Sequence, residues 1–474
     1  MKNSENHLDT ILTEVGEFGR YQRQILLLLM LTIGLIFFSN VIYIFEAKQV
    51  KHRCFIPSCE NETSPYLAPW LMNAVPFKDG KPERCAKYQQ INKSGSSCAI
   101  SDFNTSIIEK CERFVYETPE ISIMHDFDLH CDENVKKLAF VGTVNGIGKF
   151  IGLPIAGYIS DKYGRKKIFI CSMVVSGLFV FDSFFISGAY ASVFVLAAEL
   201  VGPRKRVLVN TLMIFSYGLG SMCLGGVVWL LQSWRLFLRI IYGLFILSLT
   251  GNWLMPESLR WLIMHKKYDE LSIVLKKIAK VNGKSISYSG LKKLTETVDE
   301  TETATYPVNE LLRSRILLTR CICCSFCWIA CLFVYYGQSI TSVTLSGDAY
   351  LDFILCCLIE IPACVITYFL VDRIGRRLTL SSGYTLACIF SVILIFTPTA
   401  THWIKLTIFL MGKFGISITM NVIYMITNEM FPHLSDKHCC HCARCLVELE
   451  ILRYHNLYYC KSYGSLHRLL YLLS

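Results

Sequence analysis

Charge is what this sequence has least of: Asp, Glu, Lys and Arg make up 18% of its 474 residues, where soluble proteins carry about a quarter. Set against 53% hydrophobic residues and a mean hydropathy of +0.42, that shortage excludes a soluble protein of roughly three domains, because globular cores could not hide so much apolar surface. The N-terminus lacks a short apolar core with a small-residue cleavage site, so no removable signal peptide is expected. An ATP site is lacking too. Asn282-Gly283-Lys284-Ser285 looks like the end of a phosphate loop, but Ile278 stands where its first glycine belongs. His125 and His130 lie near Asp126, Asp128 and Cys131 in a disulfide-type loop, with neither a nucleophile elbow nor metal-ligand spacing. No enzyme, catalytic residue, metal or cofactor is therefore expected. The formal charge of +10 could suggest nucleic acid, but the basic residues sit in short clusters between apolar runs. Charge placed that way orients a chain in a membrane, and no nucleic-acid partner is expected.

Present in excess are apolar runs long enough to cross hydrocarbon, which takes about 20 helical residues. They lie at Gln22 to Ile44, Leu138 to Ile159, Ile168 to Leu200, Val207 to Leu231, Leu236 to Met255, Ile316 to Ser339, Tyr350 to Val371, Leu378 to Pro398 and Trp403 to Thr427. The fold class is an all-α polytopic membrane protein. Ile168 to Leu200 is anomalous, too long for one span and too short for two of full length with a turn. Its flanks are both basic, so it should cross an even number of times: either two cramped half-spans form or a stretch has been lost. The organisation expected is a cytosolic N-terminus at 1–21 and an N-terminal helical bundle at 22–255 that includes an extracellular cysteine-rich loop at 46–137. A cytosolic central loop at 256–315, a partial C-terminal bundle at 316–432 and a divergent tail at 433–474 follow.

Of the 22 cysteines, Cys54, Cys59, Cys85, Cys98, Cys111 and Cys131 share the one long polar stretch, eleven lie in apolar segments and five crowd the tail. An even set of six in one loop reads as disulfides, and the same loop carries three glycosylation sequons, at Asn61, Asn92 and Asn104. Both features place the loop outside the cell. The positive-inside rule agrees, since the turns at Asp161 to Lys167, Gly202 to Arg206 and Asp372 to Arg377 gather Lys and Arg for the cytosol.

Two of those turns are related. Gly157 to Lys167 reads GYISDKYGRKK, and Asp372 to Arg377 reads DRIGRR at the equivalent place after a later span. A matched pair marks two homologous halves, the internal repeat of a secondary transporter. The first turn resembles the signature loop of the major facilitator superfamily. Glu199 to Arg204 (ELVGPR), Pro256 to Leu262 (PESLRWL), Glu360 to Ala363 (EIPA), Gly412 to Gly415 (GKFG) and Asn428 to Pro432 (NEMFP) narrow the resemblance to its organic cation, anion and zwitterion transporters. The resemblance implies a two-bundle fold of twelve helices rocking about a central site, here truncated, with about nine to ten spans recognisable. It implies cytosolic latches built from Gly157, Asp161, Gly164, Arg165, Glu199 and Arg204 in one half and Asp372, Arg373, Arg376 and Glu429 in the other. It implies a multi-pass plasma-membrane protein whose partners are the lipid bilayer and a small organic ion. The first reading is transport of organic cations or carnitine-like zwitterions; the alternatives are organic anions or an inactive truncated isoform.

Ionisable groups within apolar runs default to function, because they are costly there; Lys149, Asp182, Glu360 and Lys413 qualify. Pro362 can open the backbone beside Glu360, whereas Lys413, near the start of its span, could instead snorkel to the interface. Tyr335, Tyr336 and Gln338, with Phe333, resemble the family's seventh-helix lining, and aromatic walls suit organic cations. Tyr217 and Trp229 are weaker aromatic candidates. After Pro432 the resemblance ends: two further helices are missing, and Cys442 and Cys445 with His438 and His441 fall short of a zinc site.

Overall fold

Apolar runs become helices because a backbone surrounded by hydrocarbon must satisfy its own N–H and C=O groups. In the computed structural model, which describes residues 2–430 apart from 61–63, 79, 92–97, 179–181, 253, 286–314, 344 and 346–347, each of the nine runs is helical. An amphipathic helix α1 (Lys2–Val15) precedes α2 (Arg20–Val41), α3 (Cys131–Tyr163), α4 (Arg165–Leu178), α5 (Asp182–Glu199), α6 (Arg206–Leu231) and α7 (Trp234–Asn252). Two shorter helices, α8 (Leu259–Met264) and α9 (Tyr268–Asn282), lead to α10 (Arg315–Ser342), α11 (Ala349–Leu358), α12 (Glu360–Ile374), α13 (Arg376–Ile395) and α14 (His402–Met430). Among the described residues, eight helical segments are long and apolar enough to cross a membrane.

The anomalous run resolves as two short helices. α4 has 14 residues and α5 has 18, and they pack on each other. At 1.5 Å per residue α4 rises only about 21 Å, short of the roughly 30 Å hydrocarbon thickness. A second break has a local cause. α11 and α12 form one span, Ala349–Ile374, interrupted at Ile359. Pro362 has no N–H to offer the Leu358 carbonyl, and its ring crowds that oxygen.

The described chain divides into two compact units. One holds the segments up to Ile42, Thr143–Leu230 and the helices from Phe237 onward; the other holds Tyr43–Gly142 and Leu231–Leu236. In the first, the C-terminal half packs around Trp328, Cys331, Tyr335, Ile416 and Ile423, contributed by α10 and α14. The second carries strands, to which the sequence reading assigned nothing. β1 (His52–Cys54) pairs with β6 (Phe114–Tyr116), β2 (Phe77–Lys78) with β3 (Lys81–Pro82), and β4 (Ala86–Gln90) with β5 (Phe103–Lys110), all antiparallel. Disulfides Cys54–Cys111, Cys59–Cys98 and Cys85–Cys131 cross-link it. Such staples suit a unit whose buried apolar residues fall into small clusters, one of Cys54, Ile56, Leu71, Ala74, Val75 and Phe103 and another of Ala47, Val50, Met124 and Leu138.

Candidate functional site

A cavity of about 100 Å³ lies where the two halves of the first unit face each other. α5 contributes Tyr190, α6 Tyr217, α10 Trp328, Tyr335 and Tyr336, and α14 Tyr424, so six aromatic rings from four helices converge on it. The rings are held edge to face: Trp328 meets Tyr424 at 4.7 Å between centroids, and Tyr335 meets Tyr336 at 5.5 Å. Trp328 is anchored from behind by donating to Thr427 Oγ1 at 2.9 Å, and Tyr190 donates to Tyr424 Oη at 3.4 Å across the halves. Glu360 is the one carboxylate among the described lining residues. Its Oε1 accepts from Tyr335 Oη at 2.7 Å and lies 3.1 Å from Lys413 Nζ.

Lys413 is fully buried and does not reach an interface. Its ammonium donates to Ser339 Oγ at 2.8 Å and to the Tyr335 carbonyl at 3.4 Å, and sits over the Tyr335 ring. Burial of this kind requires a paired, multiply bonded charge. Lys149, 8% exposed on α3, donates to the Asn40 carbonyl at 2.9 Å and lies 5.9 Å from the Tyr336 ring centroid. Tyr335, Tyr336, Glu360 and Lys413 thus come together. Gln338 lies one turn away, with Nε2 3.5 Å from Ser391 Oγ, and does not line the cavity. Phe333 and Trp229 are exposed at 39% and 53% and face away from it, whereas Tyr217 lines it. Lining residues that the sequence reading passed over include Trp328, Tyr190, Tyr424, Asn40 and Asn421, which carry no charge and no motif.

Of the latch candidates in the first half, Asp161, Gly164, Arg165 and Glu199 cluster, and Gly157 and Arg204 do not. Gly164 turns the chain between α3 and α4 at φ +108°, and Gly375 does the same before α13 at φ +82°. Arg165 pairs with Glu199 and donates to Ser258 Oγ at 3.2 Å, and Ser258 in turn donates to Glu199. Glu257 completes the cluster: its Oε1 accepts the main-chain N–H of Arg165, Lys166 and Ser258 at 2.9, 3.0 and 3.0 Å. A carboxylate there answers the positive end of the α4 dipole. Trp261 Nε1 donates to the Asp161 carbonyl at 2.8 Å. Gly157 is buried within α3. Arg204 is exposed and makes no ion pair among the described residues; Arg206 and Arg260 meet Asp9 instead, at 2.6 and 3.5 Å. In the second half Asp372 and Arg373 are exposed, Arg376 is half-buried, and the Glu429 and Asp182 side chains lie outside the described residues. Glu257, Ser258 and Trp261 sit in the PESLRWL segment, so the motif was visible but their partnership with Arg165 was not.

In the second unit Asn104 is half-buried on β5, its Oδ1 accepting from Ser106 N at 3.0 Å; Asn61 and Asn92 lie outside the described residues. Arg53 and Glu60 form a fully buried pair at 2.5 Å. Nearby, His52, His125 and His130 pack with Phe114 and Tyr116: His130 stacks on Phe114 at 4.1 Å and meets Tyr116 Oη at 2.8 Å. Burial first, and then its two imidazole neighbours, hold His130 down to about 4, and burial lowers His52 and His125 as well. The tail, with Cys442 and Cys445, is outside the described residues.

Comparison with known proteins follows the same lines. A profile of the Major Facilitator Superfamily matches residues 119–436. Solute carrier family 22 member 1 of Oryctolagus cuniculus is 28% identical over 463 residues, covering 90% of this chain and 82% of its own. Organic cation/carnitine transporter 2 of Mus musculus is 26% identical over 457 residues, covering 90% of this chain and 81% of its own. A partially occluded, inward-open xylose transporter from E. coli superposes with a TM-score of 0.60 at 16% identity, covering 94% of this chain and 92% of that one, a likeness of fold alone. The paired glycine turns, the facing helical halves and the profile match carry one conclusion: the chain belongs to the Major Facilitator Superfamily, as a multi-pass membrane transporter.

Proposed function

We propose that this protein moves organic cations or carnitine-like zwitterions across the plasma membrane by alternating access. The observation that supports it most is the aromatic cavity with Glu360 as its described carboxylate. Six aromatic rings offer cation-π contact, each worth about 0.5–2 kcal/mol depending on desolvation, and Glu360 offers a charge. Lys413 holds that charge while the site is empty, and an arriving cation competes with it for the same oxygen. A drug-sized ligand needs about 300 Å³ or more, so the walls must part to admit one, which rocking of the two halves supplies. The carnitine-transporting relative and the cation-transporting ones fit this reading in name. A second reading, an organic anion as substrate, is favoured by one observation: Lys149 stands on the cavity wall with its ammonium beside Tyr336.

The test is uptake by cells expressing the full chain, with surface biotinylation to establish arrival at the plasma membrane. Labelled tetraethylammonium and labelled carnitine should accumulate over controls, and Glu360→Gln should raise KM for the cation most. Uptake of a labelled aromatic carboxylate in their place would establish the anion reading. A surface-exposed protein that moves none of the three would overturn both.

A further inference from the structure

A larger cleft of about 540 Å³ lies outside the central cavity, lined by the start of α2, the start of α4, the segment after α7, and the helices α8 and α9. Four lysines face it, Lys166, Lys167, Lys267 and Lys277, against two glutamates. Both glutamates are engaged: Glu257 by the three main-chain N–H groups already described, and Glu270 by Lys267 at 2.6 Å. The cleft therefore presents an excess of ammonium groups gathered from separate helices, a basic patch that Lys167 and Lys277 carry on exposed side chains. Its rim is apolar. Leu254 and Ile273 are 62% and 66% exposed there, which puts apolar surface beside the ammonium groups. Leu254 follows the spanning segment Trp234–Gly251 by three residues, which puts this part of the rim near the end of a span. Lysine-rich turns are kept on the cytosolic side, whose leaflet carries the anionic lipids.

We propose that this cleft is a binding site for the phosphate-bearing head group of an anionic membrane lipid, with the lysines holding the phosphates and Leu254 and Ile273 lying against the acyl chains. Charge complementarity selects a phosphate ligand, and the exposed apolar rim selects a lipid over a soluble phosphate ester. Occupancy bridges α4 to α9, which are joined in sequence only through the rest of the N-terminal half, and so stiffens the cytosolic side of that half.

The experiment titrates the purified full chain, in neutral detergent, with short-chain phosphatidylinositol bisphosphate, reading the shift in melting temperature and bound lipid by native mass spectrometry. Short-chain phosphatidylserine and soluble inositol trisphosphate are titrated in parallel. Saturable binding of the phosphoinositide is expected, tighter than either comparator. The variant K167Q/K277Q should bind roughly thirtyfold more weakly, while K276Q/K280Q, which removes as many charges outside the cleft, should bind within about twofold of the parent. K277R keeps the charge and should keep the affinity, which separates loss of binding from loss of folding. Equal weakening in the two double variants would reduce the effect to general surface charge and overturn the site. Soluble inositol trisphosphate binding as tightly as the lipid would overturn the lipid assignment, and an absence of saturable binding would overturn both.

Discussion

Lys413 and Glu360 show what a single buried pair demands. The lysine is inaccessible to solvent, and its ammonium is held by a carboxylate, a hydroxyl, a carbonyl and a ring face. Removing one partner of such a pair strands the other charge, at a cost of about 3–5 kcal/mol, whereas removing both is far milder. Lys413→Met should therefore lower the melting temperature sharply, and Lys413→Met with Glu360→Gln should recover most of the loss. A double variant no more stable than Lys413→Met alone would show that the pair does not act as a unit. Transport separates further: the double variant, stable but without the carboxylate, should still fail to concentrate cations. Glu360 was singled out in the sequence because a charge in an apolar run is costly. Trp328 and Tyr424 were not, because an aromatic residue in lipid-spanning sequence is ordinary and only the fold turns it toward a cavity.

At the scale of elements, the α3–α4 turn depends on a residue far from it in sequence. Glu257 takes three main-chain N–H groups at once, and a side-chain carbon at Gly164 would run into its carboxylate. Glu257→Gln keeps the shape but removes the charge-assisted bonds, each roughly twice as strong as a neutral one. Uptake measured across substrate concentrations should lose Vmax several-fold with KM little changed, since none of the cluster lines the central cavity. A change confined to KM would place Glu257 in substrate binding instead.

The existence of helices at the apolar runs was legible because hydropathy is a property of the run itself, whereas their ends were not: the helix expected from Leu138 begins at Cys131. Ile168 to Leu200 was readable only as an anomaly, because length alone left open whether α4 and α5 would form. Asn282 illustrates what sequence withholds. It looked like a fragment of a phosphate loop, and instead it ends α9, with Oδ1 accepting from Tyr21 N at 3.0 Å and Nδ2 donating to Val15 O at 3.1 Å. Gly283, at φ +65°, caps the helix there. The strands of the cysteine-rich unit were hidden for a related reason: four of the six have two or three residues, and the longest, Phe103–Lys110, does not alternate buried with exposed side chains.

That unit also has a pH dependence of definite sign. Folded His130 titrates at about 4 against an ordinary 6.5, so as pH falls the unfolded chain takes up the proton first. The stabilisation is complete above pH 6.5 and is lost as pH drops toward 4, by on the order of 2 kcal/mol. Melting of the full chain should be flat in pH above neutrality and fall in the acid range. His130→Gln should flatten that fall, and an unchanged acid slope would assign it to other groups.

For the whole molecule, the question is what drives net movement. Rocking of two halves carries no energy source of its own, and charges fixed on the protein return with each cycle, so the net charge moved is that of the substrate and of any ion that travels with it. A monovalent cation moving to a negative interior gains about 2.3 kcal/mol per 100 mV, enough for roughly fortyfold accumulation with no coupled ion. A zwitterion of zero net charge gains nothing from the same field. Collapsing the membrane potential with potassium and valinomycin should accordingly abolish concentrative uptake of tetraethylammonium while leaving the initial rate for carnitine near its starting value. Carnitine uptake that collapses in parallel would mean that a cation travels with it, and tetraethylammonium uptake that persists would mean that another gradient moves the cation. Either result would show that movement is coupled to a second gradient.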